Sequence, residues 1–536
     1  VDEDENTGED VNLQQASGTD SGNGQNDGSS KPKHKGGKGK AARDFSGIQF
    51  VDGYDYDTEK LLEKYGPDAR VVRDNTSISV IYIRAHFVVV VKHRPTIAYS
   101  SGPDTKMVTV RSKPSLWLNS YATPSLVAHI IYERFFLCIT YCRIEKEFAD
   151  LGFTLGRQTM SSWLIRVAFD FLKPVWEHLK NRLLKQPYNQ CDETTEEVIN
   201  DGRKAGSTSF VWFHSSSELY AKPFTPGEPC LNPPIIWACF ELTRGTDHLR
   251  ATYKGYKGII TCDGYGAYKL LEKESQEDGG SQGIHTSGCM MHMRRRFASS
   301  YRMTKPANLS KEASRALPEY KALVLIRDFY IEEGKLKELS PEERKKKRNE
   351  KVRPKVDAFY AYIESLDTND PLMSETLKEA VQYAINQKDS LTLFLDDGNI
   401  PIDNGFVERA IRPFTILRRN SLFCTSIEGA EAAAIIYSIV ATARANKVRV
   451  DVYLEYLLEK VPKTLDAWGK CDDAAMETMM PWSEEYREYE KQHASRPSGP
   501  SGVPLWPDMY KEEVADMPDE PIPEEPATPP PQSDAA

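Results

Sequence analysis

Three acidic residues, Asp192, Asp263 and Glu408, stand in contexts that suit metal-assisted chemistry. Asp192 follows Tyr188-Asn-Gln-Cys191 and opens Asp192-Glu-Thr-Thr195. Asp263 follows Gly258-Ile-Ile-Thr-Cys262 and opens Gly264-Tyr-Gly-Ala-Tyr268. Each acid ends a run that reads as a strand, and taken alone each reads as a cap on the next element. The segment Ile402-Asp-Asn-Gly-Phe-Val-Glu-Arg-Ala-Ile-Arg-Pro413 changes that balance. Asp403 can cap a helix there, which sets Glu408 and Arg412 four apart on one face, with Arg409, Arg418 and Arg419 nearby. A carboxylate among arginines reads either as a surface ion-pair network or as a metal ligand flanked by phosphate-binding cations. Phosphodiester displacement asks for the second arrangement. Two divalent ions about 4 Å apart clamp the attacking and leaving oxygens, and hard ions such as Mg²⁺ take carboxylate oxygens.

Cys289-x-x-His292 has the spacing of half a zinc site. No second pair stands near it, so zinc is not expected there. Arg294-Arg-Arg296 follows directly, and Arg294 and Arg295 read as phosphate contacts. The nine cysteines are scattered, which points to reduced thiols in a cytoplasmic protein. Cys138 and Cys142 lie four apart, as on one helical face, and read as core.

The elements that must hold these residues follow from pattern. Residues 44–115 read as a small β-rich module around the apolar stretch 77–97, closed by Pro95. The run 78–91 is interrupted by Arg84 and His86, so it reads as a strand and not as a membrane span. Residues 116–186 read as helical, with Thr123-Pro124 as N-cap and first helical residue. Within them, 143–151, Gly152 and 157–168 have the rhythm of a helix-turn-helix, with Arg157, Gln158, Thr159 and Ser161 facing a groove. An ordinary helical hairpin fits the same residues.

Short strands follow at 189–191, 209–213, 235–242 and 258–262, then polar helices with a charge-dense stretch at 342–355, and a strongly helical segment at 404–445. This is an α/β pattern whose plan is a ribonuclease-H-like mixed-sheet core. The core occupies 187–300 and 396–465, interrupted by a helical insertion at 301–395, and a C-terminal extension covers 466–536.

The net charge of −10 is unevenly spread. Residues 1–30 and 501–536 each contribute −8, which leaves +6 for residues 31–500 and permits a polyanion partner. Residues 1–43, ending in a basic run, and the acidic Pro-rich end read as disordered. The run Lys31–Lys40 reads as a solvated tail or as a touch on DNA phosphates. No signal peptide or membrane span is read.

The motifs Cys191-Asp-Glu-Thr194, Thr261-Cys-Asp-Gly-Tyr265, Gly288-Cys-Met-Met-His-Met-Arg-Arg-Arg-Phe297 and Ile402-Asp-Asn-Gly-Phe-Val-Glu-Arg409 occur in an order that resembles the IS66 transposases of bacterial insertion sequences. Arg419-Asn-Ser-Leu-Phe423 and Glu428-Gly-Ala-Glu-Ala-Ala-Ala-Ile-Ile-Tyr-Ser438 extend the likeness over 115–462. The resemblance implies a DDE transposase in which Asp192, Asp263 and Glu408 bind Mg²⁺ or Mn²⁺, with Asp403 and Asn404 supporting the site. It implies cleavage at transposon ends and strand transfer into target DNA. It further implies a homo-oligomer, accessory proteins encoded by the element, and a nucleoid-associated, cytoplasmic location in a bacterium. A catalytically silent DNA-binding derivative and a nuclease of the same fold are the alternatives. Members of that family commonly carry Cys-x-x-Cys pairs in an N-terminal zinc module, and here no cysteine precedes Cys138.

Overall fold

Strand-forming residues fall in two groups along the chain, and helices fill the stretches between and after them. The computed structural model describes residues 49–494 apart from 55–56, 75, 84–85, 102–103, 110–115, 118–119, 205, 280–282, 305–309 and 422–423. The tails expected to be disordered lie outside the described residues.

The first group comprises β1 (Gln49–Tyr54), β2 (Arg70–Asp74), β3 (Ser77–Ile83), β4 (His86–His93), β5 (Pro95–Ser101) and β6 (Asp104–Thr109). They make two three-stranded sheets, in the orders β1-β4-β3 and β2-β5-β6. The apolar run expected to be one strand is thus two, β3 and β4, paired antiparallel. Pro95 does not close the stretch; it opens β5 at the first position, where a missing N–H is tolerated.

Thr123 caps the Pro124–Ile131 helix through Leu126 N–H (3.2 Å), and its hydroxyl donates to Val80 O (2.6 Å), tying that helix to β3. The helices Tyr141–Asp150 and Arg157–Val167 are joined through Gly152, whose φ of +82° is one that glycine adopts without strain. Cys138 and Cys142 do not share a helical face. Cys138 sits in the preceding turn with φ +59°, buried, its Sγ donating to Pro413 O (3.3 Å). Cys142 is exposed and accepts from the Arg157 guanidinium (3.0 Å), so only Cys138 belongs to the core.

The second strand group builds a five-stranded sheet from β7 (Tyr188–Glu196), β9 (Ser209–Ser216), β10 (Ile236–Glu241), β11 (Gly258–Cys262) and β12 (Ile284–Gly288), in the order β10-β9-β7-β11-β12. The short β8 (Val198–Asn200) pairs instead with β13 (Cys424–Ser426). Strands β7, β9 and β10 are antiparallel; β11 and β12 run parallel to β7. The edge strand β10 is covered by the Ala-rich helix Ile427–Ala445. Ser438 and Thr442 accept from the free N–H groups of Ala238 (2.8 Å) and Ile236 (3.0 Å), removing a row of donors that could recruit another strand.

Between β12 and residue 395 the helices gather around their own core, which includes Met293, Phe297, Ile326, Phe329 and Phe359. The charge-dense stretch is not uniformly solvated. Arg348 is wholly buried, donates to both Glu333 carboxylate oxygens and reaches Phe394 O (2.6 Å) and Asp397 O (2.8 Å). Arg344, one turn earlier and also buried, donates to Leu336 O (3.2 Å), Lys337 O (2.8 Å) and Leu339 O (2.7 Å). Among the described residues, no helix is long and apolar enough to cross a membrane.

Candidate active site

The parallel register of β7 and β11 pairs Ile259 with Tyr188, Ile260 with Asn189 and Thr261 with Gln190. Asp192 and Asp263 each follow the last of these pairs by two residues, and they lie close enough for the Asp263 charge to raise the Asp192 carboxyl. Asp192 is not at a strand tip: β7 runs on to Glu196, and Asp192 pairs with Phe213 of β9. The β-branched Thr194 and Thr195 and the continued pairing with β9 carry the strand past the acid. It nonetheless lies beyond the last pair with β11, where the sheet opens.

Glu408 comes from the first turn of the helix Gly405–Ser421. Asp403 Oδ1 accepts from Gly405 N–H (2.9 Å), and its other oxygen accepts from Tyr330 (3.1 Å), which fixes the helix start. Asn404 is fully buried, with neither side-chain heteroatom paired. Glu408 faces His292 Nε2 (3.7 Å) and the Arg295 guanidinium (3.3 Å).

The three acids share one electrostatic environment. Burial, then the charges of Glu193, Asp263 and Glu408, push the Asp192 carboxyl well above the usual carboxylate range. Glu193, adjacent in sequence, is raised by burial and by Asp263, against the pull of Arg244. Arg244 donates to Glu193 (2.7 Å), lies 3.8 Å from Asp263 and stacks over Tyr265 (4.0 Å). Sequence reading missed both Glu193 and Arg244: 51 residues separate them, and no motif links them.

Cys289 and His292 stand with Glu408 as a group whose ligand atoms lie within 4.8 Å of one another. The Cys289 sulfur is buried and accepts from Asn404 N–H (3.5 Å). A cleft of about 590 Å³ opens beside Asp263, with Arg244, His292, Arg295, Arg296 and Tyr383 in its wall. Tyr383, from the Glu375–Asn386 helix, carries Arg296 over its ring (4.1 Å). It also presses on Gly264, where an added Cβ would meet the Tyr383 hydroxyl at 2.6 Å.

The arginines divide by their surroundings. Arg294, Arg295, Arg409, Arg412 and Arg419 are exposed. Arg409 is paired with Glu218 (2.6 Å). Arg418 turns inward and donates to Thr194 Oγ1 (2.8 Å) and to the Thr195 carbonyl, tying its helix to β7.

The model of the family described as "Transposase IS66 family" matches residues 119–432, a span that holds Asp192, Asp263 and Glu408. The chain belongs to the IS66 transposase family. Similar proteins of Sinorhizobium fredii (strain NBRC 101917 / NGR234) include the uncharacterized proteins y4jD, y4qI and y4hP. The first is 27% identical over 363 residues, 68% of this chain and 66% of that protein. The second is 26% identical over 418 residues, 78% of this chain and 72% of that protein. The third is 24% identical over 340 residues, 63% and 59%. The chain therefore spans just under two-thirds of y4jD and less of y4hP. The IS66 family match begins after the two N-terminal sheets.

Proposed function

We propose that this chain is a DDE-type DNA transposase with a ribonuclease-H-like core. In that reading Asp192, Asp263 and Glu408 hold two Mg²⁺ or Mn²⁺ ions, cleave at transposon ends and join those ends to target DNA. The observation that carries the reading is the convergence of charge at Asp192: Asp263, which directly follows the neighbouring parallel strand β11, and Glu408, from a later helix, both raise its carboxyl. The five-stranded mixed sheet, with a third acid on a later helix, supports the fold assignment. The donor set fits the ions: carboxylate oxygens suit a hard cation, and their mutual repulsion is what a divalent charge relieves. When bound, such ions polarise the scissile phosphate and lower the pKa of an attacking water.

The chain's own residues then orient and screen. Asp403 fixes the start of the helix that bears Glu408, and the buried Asn404 supports the same turn. Arg244 restrains Glu193 and Asp263. Arg294, Arg295, Arg412 and Arg419 offer charge to DNA phosphates, from transposon end and target alike. Assembly as a homo-oligomer on paired ends, accessory proteins of the element and a bacterial nucleoid location belong to the same proposal.

The test is cleavage of the element's own end sequence in Mg²⁺ or Mn²⁺, wild type beside Glu408→Gln, followed by joining of a pre-cleaved 3′-hydroxyl end. Cleavage and joining by the wild type alone is the expected result. Cutting without joining would mark a nuclease of this fold, and binding without cutting a silent DNA-binding derivative.

A second expectation concerns Arg412, exposed on the Glu408 helix. Arg412→Ala weakens DNA binding at every sequence and lowers the slope of log K against log salt by about 1, as loss of one phosphate contact does. An unchanged slope in a binding titration from low to moderate salt would remove Arg412 from the interface.

A further inference from the structure

On the sheet face opposite Asp192, His214, Cys239 and His248 converge on one point. The register pairs Asp192 with Phe213, so the next residue, His214, points away from the acids. On β9 and β10 the pairs His214–Trp237 and Trp212–Cys239 put His214 and Cys239 on the same face. His248, from the helix Thr246–Thr252, closes over them. All three are buried: His214 is 0% exposed, Cys239 7%, and the His248 side chain 6%.

We infer that His214 Nε2, His248 Nε2 and Cys239 Sγ form a structural zinc site behind the candidate catalytic sheet. The spacing fits. His214 Nε2 lies 3.2 Å from His248 Nε2, which lies 3.4 Å from Cys239 Sγ, and all three atoms fall within 4.8 Å of one another. Nitrogen and sulfur ligands at about 2.0–2.1 and 2.3 Å from a tetrahedral zinc stand roughly 3.3–3.6 Å apart. Thr252 Oγ1, 3.4 Å from His248 Nε2, puts a neutral oxygen at hand for a fourth position.

The outer contacts orient both rings as metal-bound histidines are oriented. Glu241 accepts from His248 Nδ1 (3.0 Å), which assigns the proton to that nitrogen and leaves a bare lone pair on Nε2. His214 Nδ1 meets the Tyr253 hydroxyl (2.9 Å) and Cys191 Sγ (3.3 Å), so its Nε2 also faces inward. The Cys239 thiolate and the Glu241 carboxylate offset the divalent charge, and the Lys180 ammonium nearby adds one positive charge. Binding releases the Cys239 proton to solvent and involves no change of oxidation state.

The site would pin β9, β10 and the helix that begins directly after Arg244 and Gly245. Arg244 restrains Glu193 and Asp263, so the metal would brace the acids from behind without touching DNA. Sequence spacing hid it, since the ligands come from two strands and a helix rather than from paired motifs.

The test is the metal content of the full-length protein purified without chelator. About one zinc per chain is expected for the wild type, retained in Glu408→Gln and lost in Cys239→Ser and in His248→Gln. Cobalt exchanged into the wild type should give a thiolate-to-cobalt absorption band in the near ultraviolet, which needs no variant to read. A zinc-free wild type whose apo form takes up neither zinc nor cobalt would overturn the site. In that case the two imidazoles simply share a proton. Zinc lost in Glu408→Gln but kept in Cys239→Ser would equally overturn it, by moving the metal to Cys289, His292 and Glu408. Because the readout is metal content, failure of the transposase reading leaves this result untouched.

Discussion

Asp192→Asn cuts metal-dependent DNA cleavage by at least ~100-fold, since even an outer partner of a metal ligand is worth about 10–100-fold. DNA affinity stays nearly unchanged, because the arginines that meet phosphate are untouched. The same substitution stabilises the metal-free protein at neutral pH. In the fold, burial and three neighbouring acids hold the Asp192 carboxyl well above its usual range. The unfolded chain ionises it at the ordinary value. Stability is therefore lost as pH rises from that ordinary value through the raised one, and the neutral amide escapes the loss. Melting curves in chelator should show the variant above wild type at pH 7, by roughly 2–4 °C for each kcal/mol relieved in a core of 150–250 residues. The gap closes below about pH 4, where the wild-type acid is protonated in both states. Mg²⁺ should raise the wild type alone. A variant that cuts normally, or that melts below wild type at pH 7 in chelator, would remove Asp192 from the centre.

Arg348→Met is expected to cost about 3–5 kcal/mol, the penalty for stranding a buried partner charge. Glu333 is 6% exposed, and Arg348 supplies both of its oxygens with donors while also satisfying two carbonyls at the end of the 393–397 turn. Methionine can fill the volume but offers no donor. Pairing it with Glu333→Leu should recover much of the loss, because the uncompensated charge goes too. Hydrogen exchange over residues 318–395 would report this locally: faster opening in the single variant and partial return in the double. Equal loss in both would show that the carbonyl contacts dominate.

These two cases mark how far the sequence could be read. Asp263 and Glu408 are flagged locally, one by an apolar run that stops at an acid, the other by a cap followed by a carboxylate five residues on. Gly152 and the Thr123-Pro124 pair likewise carry their conformations in their own chemistry. Arg344 and Arg348 carry no such mark. Inside a run of lysines and glutamates they look solvated, and only the carbonyl ends brought in from 336–339 and 394–398 give them a reason to be buried. Strand β12 carries little sequence signal, because His285, Thr286, Ser287 and Gly288 lack the β-branched density that marks a buried strand. The full length of β7 is hidden in the sequence for a related reason. Its polar second half is held by β9, a partner that periodicity within one segment does not reveal.

The contact between Gly264 and Tyr383 bears on how such chains diverge. Residue 264 belongs to the turn that follows Asp263, and residue 383 to a helix more than a hundred positions later. A side chain at the first requires the phenol at the second to shift. Residue 383 can become smaller by itself, but residue 264 can gain a side chain only where residue 383 has shrunk or shifted. A chimera that grafts the helices of one relative onto the sheet of another therefore inherits a compatibility rule at a single point. Libraries of such hybrids should sort into functional and dead classes by the identities at 264 and 383.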